Sequence, residues 1–196
     1  ASTHTALTAY DVGGRVIGKS YPDGDVVGST STPWQYDAAG RLSSIPGLVT
    51  AFTYNAAGQT LTATYANGVV TTFDYNPQRT WLNEITTAGS LGTLFESTYE
   101  HDTLGRITTD TITTPGVPVE NWTYGYDDLD RLTSATDSVT AANSQTFSYD
   151  LGDNILSMTG VGSYTYPAAT AARPHAPSTI AGQAMTWDSA GNLTVG

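Results

Sequence analysis

Aromatic and polar residues alternate in short runs along this chain, as in Phe52-Thr53-Tyr54, Phe73-Asp74-Tyr75, Trp122-Thr123-Tyr124-Gly125-Tyr126 and Phe147-Ser148-Tyr149. A period of two puts the rings of each run on one face of a β-strand. Each run then meets an Asp or Asn, and an aliphatic residue takes up the apolar pattern again after the turn. The clearest unit is Tyr36-Asp37-Ala38-Ala39-Gly40-Arg41-Leu42.

Aligned on the aromatic, the unit recurs eight times. The copies are Tyr10-Asp11-Val12-Gly13-Gly14-Arg15-Val16, the Tyr36 unit, Tyr54-Asn55-Ala56-Ala57-Gly58-Gln59, Tyr75-Asn76-Pro77-Gln78, His101-Asp102-Thr103-Leu104-Gly105-Arg106-Ile107, Tyr126-Asp127-Asp128-Leu129-Asp130-Arg131-Leu132, Tyr149-Asp150-Leu151-Gly152-Asp153-Asn154-Ile155 and Trp187-Asp188-Ser189-Ala190-Gly191-Asn192-Leu193. Their starts lie 18 to 26 residues apart until a last gap of 38, which leaves room for a worn ninth copy around Tyr164 and Tyr166. Such a period belongs to repeats that cannot bury their own apolar face and must stack on their neighbours.

Asp-x-x-Gly spells a type I turn: the Asp side chain bonds the backbone two residues on, and Gly accepts a positive φ at the fourth position. A type I turn ending in a left-handed Gly is a hairpin turn with a G1 bulge. Leu42, Ile107, Leu132 and Leu193 then return roughly opposite the turn aromatic, and the Arg beside them is expected to point to solvent. Asp130 and Arg79 stand where Gly stands elsewhere. Asp tolerates the left-handed region and Arg does not, so the Tyr75 turn, with Pro77 inside it, is expected to differ in type.

Between these units, Tyr21-Pro22-Asp23-Gly24 and Tyr65-Ala66-Asn67-Gly68 read as a second set of turns joining hairpins, and Val69–Phe73 as strand. Thr86–Gly92 reads as a longer loop, as does Thr114–Pro118 with its two prolines. Residues 167–182 break the rhythm and are expected to cross a sheet edge. Ala168–Ala172 is the single weak candidate for a helix. The fold class expected is all-β: repeated antiparallel hairpins in one curved or spiralling sheet, with residues 1–196 forming a single repeat region.

Hydrophobic residues make up 39% of the 196, thin for a thick core but suited to a sheet buried on one face. With 18 acids against 7 bases the net charge is −11, which argues against nucleic acid and anionic membranes as partners. The chain has no cysteine, so disulfides and thiolate zinc sites are excluded. No apolar run is long enough to be a membrane helix, and the first residues do not read as a signal peptide.

Catalytic chemistry finds no footing in these residues. His4, His101 and His175 lie far apart without metal-ligand spacing, and no nucleophile elbow occurs. Asp127, Asp128 and Asp130, or Asp150 and Asp153, crowd single turns, which supply too few oxygens for calcium. The expectation is no enzyme, no cofactor and no required metal. Exposed rings on a sheet face are able to stack on sugars, so a module binding glycan or protein at a cell surface stands as the alternative reading.

The Tyr-Asp-x-x-Gly-Arg units, with Tyr-Pro-Asp-Gly between them, resemble the YD repeats of the RHS family, which includes bacterial polymorphic toxins, toxin-complex shells and teneurin-like shells. Arg173-Pro174-His175-Ala176-Pro177-Ser178 also resembles a segment found late in such arrays. The resemblance implies a structural, non-catalytic stretch of a hollow β-shell, cut from a longer, secreted or surface-exposed bacterial protein. Its partners would be the adjoining repeats and an enclosed C-terminal polypeptide, usually a toxin. The motif residues it implies are those quoted above: Tyr10, Asp11, Gly14, Arg15, Tyr36, Asp37, Gly40, Arg41, Tyr54, Gly58, Tyr75, His101, Asp102, Gly105, Arg106, Tyr126, Asp127, Arg131, Tyr149, Asp150, Trp187, Asp188 and Gly191. The family's self-cleaving core, with its paired Asp-Pro-x-Gly motifs, does not occur in this sequence. Edge strands left unpaired by such a cut are expected to drive weak self-association.

Overall fold

The computed structural model describes residues 5–195, so His4 lies outside the described residues. Contacts divide the chain into two compact units, Ala1–Tyr99 with Ile112–Val117 and Glu100–Thr111 with Pro118–Gly196. Both are antiparallel β, as the alternating aromatics require.

In the first unit, β1 (Leu7–Tyr10), β2 (Val16–Ser20) and β3 (Val26–Val27) form a small sheet with β2 in the middle. The hairpin of β4 (Gln35–Tyr36) and β5 (Leu42–Ser44) follows. Then β6 (Val49–Tyr54), β7 (Thr60–Tyr65), β8 (Val70–Tyr75), β9 (Leu82–Gly89) and β10 (Gly92–His101), whose last two residues are counted with the second unit, hydrogen-bond in sequence order. The second unit continues in the same style. Its strands β11 (Ile107–Thr113, the last two residues counted with the first unit), β12 (Glu120–Tyr126), β13 (Leu132–Asp137), β14 (Gln145–Tyr149), β15 (Ile155–Met158), β16 (Gly162–Thr165), β17 (Thr179–Ile180) and β18 (Gln183–Ala184) also follow in order, and β19 (Thr186–Trp187) pairs with β20 (Leu193–Val195). A three-residue 3₁₀ turn, Ala141–Asn143, is the one helical element among the described residues, and no helix there is long and apolar enough to cross a membrane.

Turn chemistry sets these hairpins. In the Tyr36 unit, the Gly40 N–H donates to the Asp37 carbonyl at 2.9 Å and the Asp37 N–H to the Arg41 carbonyl at 2.8 Å. Gly40 sits at φ +79°, and the register slips by one residue next to Tyr36, which faces Leu42. That is the expected type I turn with its bulge. Tyr10 faces Val16, Tyr54 faces Thr60, Tyr126 faces Leu132, Tyr149 faces Ile155 and Trp187 faces Leu193 in the same way. Cross-strand aromatic and aliphatic pairs of this kind contribute ~0.2–1 kcal/mol each. The Tyr21 and Tyr65 turns carry the same bonds, with Gly24 and Gly68 accepting positive φ.

The departures resolve as backbone stereochemistry dictates. Asp130 takes the left-handed place at φ 64°, and so does Asp153 at φ 66°, a third departure hidden in the sequence by the neighbouring Gly152. Arg79 avoids it: the Tyr75 turn is one residue longer, Thr80 adopts φ 60°, and Tyr75 faces Leu82.

Two expectations are corrected. Thr86–Gly92 is not a loop, because β9 runs through Gly89 and turns at once into β10. Its β-branched threonines pair with β8, where the Thr71 and Thr87 hydroxyls meet at 2.9 Å. Nor do residues 167–182 cross a sheet edge. β16 and β17 are neighbours, so residues 166–178 form a long connection between adjacent strands, tied by the Ser178 N–H to the Thr165 carbonyl at 2.7 Å, and Ala168–Ala172 within it is not helical.

Few apolar side chains are closed off from solvent. Ile17, Val49, Ala63 and Ala135 are the buried ones, with Thr71, Ser97 and Asp137 beside them among the described residues. A thin core of this kind follows from single sheets, and polar side chains must therefore tie the strands together.

Candidate functional site

The most organised chemistry lies along the turn units. Asp37 shows the pattern: its Oδ1 accepts the N–H groups of Ala39 and Arg41, each at 2.9 Å, and its Oδ2 accepts Nε of Arg41 at 2.7 Å. Held this way, the Arg41 guanidinium stands 4.6 Å over the ring of Tyr54 in the next unit and donates to the Asn55 carbonyl at 3.3 Å. Tyr54 answers with its hydroxyl, which donates to the Leu42 carbonyl at 2.6 Å. The Tyr36 unit is thus clamped to the following one by a carboxylate, a guanidinium, a ring and a backbone carbonyl.

The clamp repeats. Arg15 stands 4.8 Å over Tyr36, Arg106 4.8 Å over Tyr126 and Arg131 4.7 Å over Tyr149. The hydroxyls of Tyr36, Tyr126 and Tyr149 donate to the carbonyls of Val16, Ile107 and Leu132 at 2.7, 2.7 and 2.8 Å. This corrects the expectation of solvent-facing arginines. The side chain leaves the strand at the bulge, where alternation lapses, and the Asp four residues earlier folds it back over the neighbouring ring. Arg131 is the most enclosed of the four, its side chain 20% exposed against 49% for Arg15.

The left-handed aspartates acquire a role in this frame. Arg106 donates to Asp130 at 2.7 Å and Arg131 to Asp153 at 2.8 Å, so each acid at positive φ receives the arginine of the preceding unit. Both acids are largely exposed, so the pairs guide orientation more than they stabilise. The Tyr54 unit keeps the geometry without charge: Asn55 Nδ2 donates to Gln59 Oε1 at 2.9 Å, and Gln59 reaches the Thr80 carbonyl at 2.8 Å. In the Tyr149 and Trp187 units, Asn154 and Asn192 stand in the arginine position and donate to Asp150 and Asp188 at 2.8 and 2.9 Å. Tyr166, expected within a worn ninth copy, donates to the Ile155 carbonyl at 3.0 Å and so takes the place of a turn tyrosine.

Electrostatics follow the bonds. The backbone N–H of Arg41 foremost, then its side chain, holds Asp37 below the ordinary 3.8, and the N–H of Arg131 does the same for Asp127. At Asp150 and Asp188 the side-chain amides of Asn154 and Asn192 are the leading cause. Burial pushes the Tyr126 and Tyr166 hydroxyls up.

These arrangements brace turns and bring no nucleophile to a base. Of the histidines, His101 ends β10 and His175 pairs through Nδ1 with Asn154 Oδ1 at 2.8 Å. Among the described residues no three His, Asp or Glu side chains gather as a metal set. The rings of Tyr36, Tyr54, Tyr126 and Tyr149 carry a guanidinium over one face. The inter-repeat clamp escaped the sequence reading. Its signal was the joint change of Asp with Arg into Asn55 with Gln59 at the same two positions.

The chain matches the RHS repeat family model over residues 36–70 and 54–93. No curated protein sequence matches it. Among solved structures it is similar to the TcdB2–TccC3–Cdc42 crystal structure, at 22% identity and a TM-score of 0.71, covering 97% of this chain and 12% of that one. TcdB2–TccC3 follows at 22% identity and a TM-score of 0.69, again over 97% and 12%. The Tc holotoxin pore of Photorhabdus luminescens gives 21% identity and a TM-score of 0.67 over the same shares. The chain therefore has the fold of about an eighth of the length of those chains. The chain is thus similar to the RHS repeat family over residues 36–93, under a third of its length, and shares the fold of those solved structures over 97% of it.

Proposed function

We propose that the array is non-catalytic wall: a stretch of RHS β-shell, part of a bacterial protein acting outside its cell, that encloses or presents another polypeptide. The inter-repeat clamp carries this reading. Four turn arginines are spent on the ring of the neighbouring unit and the turn aspartates on holding them there, which is what a load-sharing wall needs and what a catalytic cleft does not. The likeness to TcdB2–TccC3 structures supports the same reading at the level of fold.

Limited proteolysis of the full-length protein tests it. An enclosed polypeptide resists a protease that cuts the same polypeptide when made alone. Equal cleavage rates in the two settings would overturn enclosure. Saturable binding of a glycan to this array would favour the cell-surface module instead.

A further inference from the structure

Four guanidinium groups occupy the space between a turn aspartate and the next unit's tyrosine, and a fifth such space stands without one. At the step from the Tyr149 unit to Tyr166, the arginine position holds Asn154. Its Nδ2 satisfies Asp150 Oδ2 at 2.8 Å as an arginine Nε would, and the tyrosine is still anchored, with Tyr166 donating to Ile155 at 3.0 Å. The side chain ends there, and among the described residues no cation stands over the Tyr166 ring. The surface opens instead into a depression of about 420 Å³ lined by Asp150, Asn154, Tyr166, Pro167, Pro174 and His175.

The groups that hold a guanidinium elsewhere are all present. A carboxylate comes from Asp150 and a ring face from Tyr166. Pro167 follows the tyrosine at the position whose carbonyl, in Asp150, receives Arg131 at 2.8 Å. His175 lines the same depression and bonds Asn154 Oδ1 at 2.8 Å, beside Asp150. Arg173 lies nearby in the sequence, yet makes no ion pair among the described residues.

We propose that this depression receives an arginine side chain of a second polypeptide, stacked on Tyr166 and paired with Asp150. A planar guanidinium fits a ring face and a carboxylate together better than an ammonium does, and a chain of net charge −11 attracts basic segments. The inference rests on the repeat geometry alone, independent of what the array encloses.

The test is an amide chemical-shift titration with Nα-acetyl-arginine methylamide, beside its neutral citrulline counterpart. Saturable shifts confined to Leu151, Gly152, Asn154 and His175 are expected with the arginine compound, with binding at least about tenfold weaker for citrulline because the charge is lost. Asn154→Arg should abolish the shifts by filling the space from within and raise Tm by ~2–4 °C. Arg173→Ala should leave binding unchanged. Absent or scattered shifts, equal binding of citrulline, or persistence in Asn154→Arg would overturn the proposal. So would binding that appears only in Arg173→Ala, since the chain's own arginine would then be the occupant.

Discussion

Arg131 stands 4.7 Å over the ring of Tyr149 while donating Nε to Asp127 at 2.8 Å and a terminal nitrogen to Asp153 at 2.8 Å. One side chain therefore ties a turn to itself and to its successor. Arg15 shares the ring contact and the aspartate but is half exposed. Exposed ion pairs contribute little, whereas removing one partner of an enclosed set strands the others. Arg131→Ala is expected to lower Tm by about 4 °C or more, and Arg15→Ala by less than about 2 °C, in thermal melts followed by circular dichroism. Equal losses would show that enclosure does not matter.

The turn glycines act through backbone stereochemistry alone. At Gly40, φ is +79° and an added Cβ meets nothing within 4 Å, so any cost of substitution is strain rather than collision. Gly40→Val is expected to cost more than about 1 kcal/mol, because a β-branched residue resists positive φ. Gly40→Asp should cost less, as Asp130 and Asp153 already occupy that region. Chemical denaturation of both variants checks the order, and a valine milder than the aspartate would refute the turn assignment.

Acid should loosen the array. Asp11, Asp37 and Asp127 are held below 3.8 chiefly by an arginine backbone N–H, and Asp150 and Asp188 chiefly by an asparagine amide. At Asp102 burial pushes upward, and the Arg106 side chain and N–H outweigh it. Lowered folded values mean that the unfolded chain binds more protons near pH 4, so this stabilisation is complete above that range and is lost as pH falls through the folded values. Tm is expected to be flat between about pH 5 and 8 on this account and to fall below about pH 4. A Tm that rises as pH drops from 5 to 3 would reverse the sign of the argument.

Edges remain to be satisfied. Among the described residues β1 and β3 each pair only with β2, and Leu7 and Val26 on them are largely exposed. Exposed edges recruit strands, while net charge −11 keeps copies apart until salt screens it. Sedimentation velocity is expected to show weak association that grows with concentration and ionic strength. A monomer under all conditions would mean that these edges are protected.

The hairpins were legible because their signals are local. Turn aspartates, positive-φ glycines and rings two residues apart each report a backbone state within seven residues. The arginines were misread because alternation was carried through a bulge, where the register slips beside Tyr36, Tyr126 and Tyr149 and alternation ceases to predict direction. Thr86–Gly92, read as a loop, instead holds the end of one long strand and a tight turn into the next, with Gly89 facing Gly92. Pairings between units, such as Arg131 with Asp153, have no period to reveal them. They become visible only once neighbouring turns stand side by side.

A double-mutant cycle on Arg131 and Tyr149 tests most directly whether the turns are clamped to one another. Arg131→Ala and Tyr149→Leu each remove the same contact, so their combined Tm loss should fall clearly short of the sum of the single losses. Strictly additive losses would show that the ring and the guanidinium act separately, and that the repeats are held together by their backbone ladders alone.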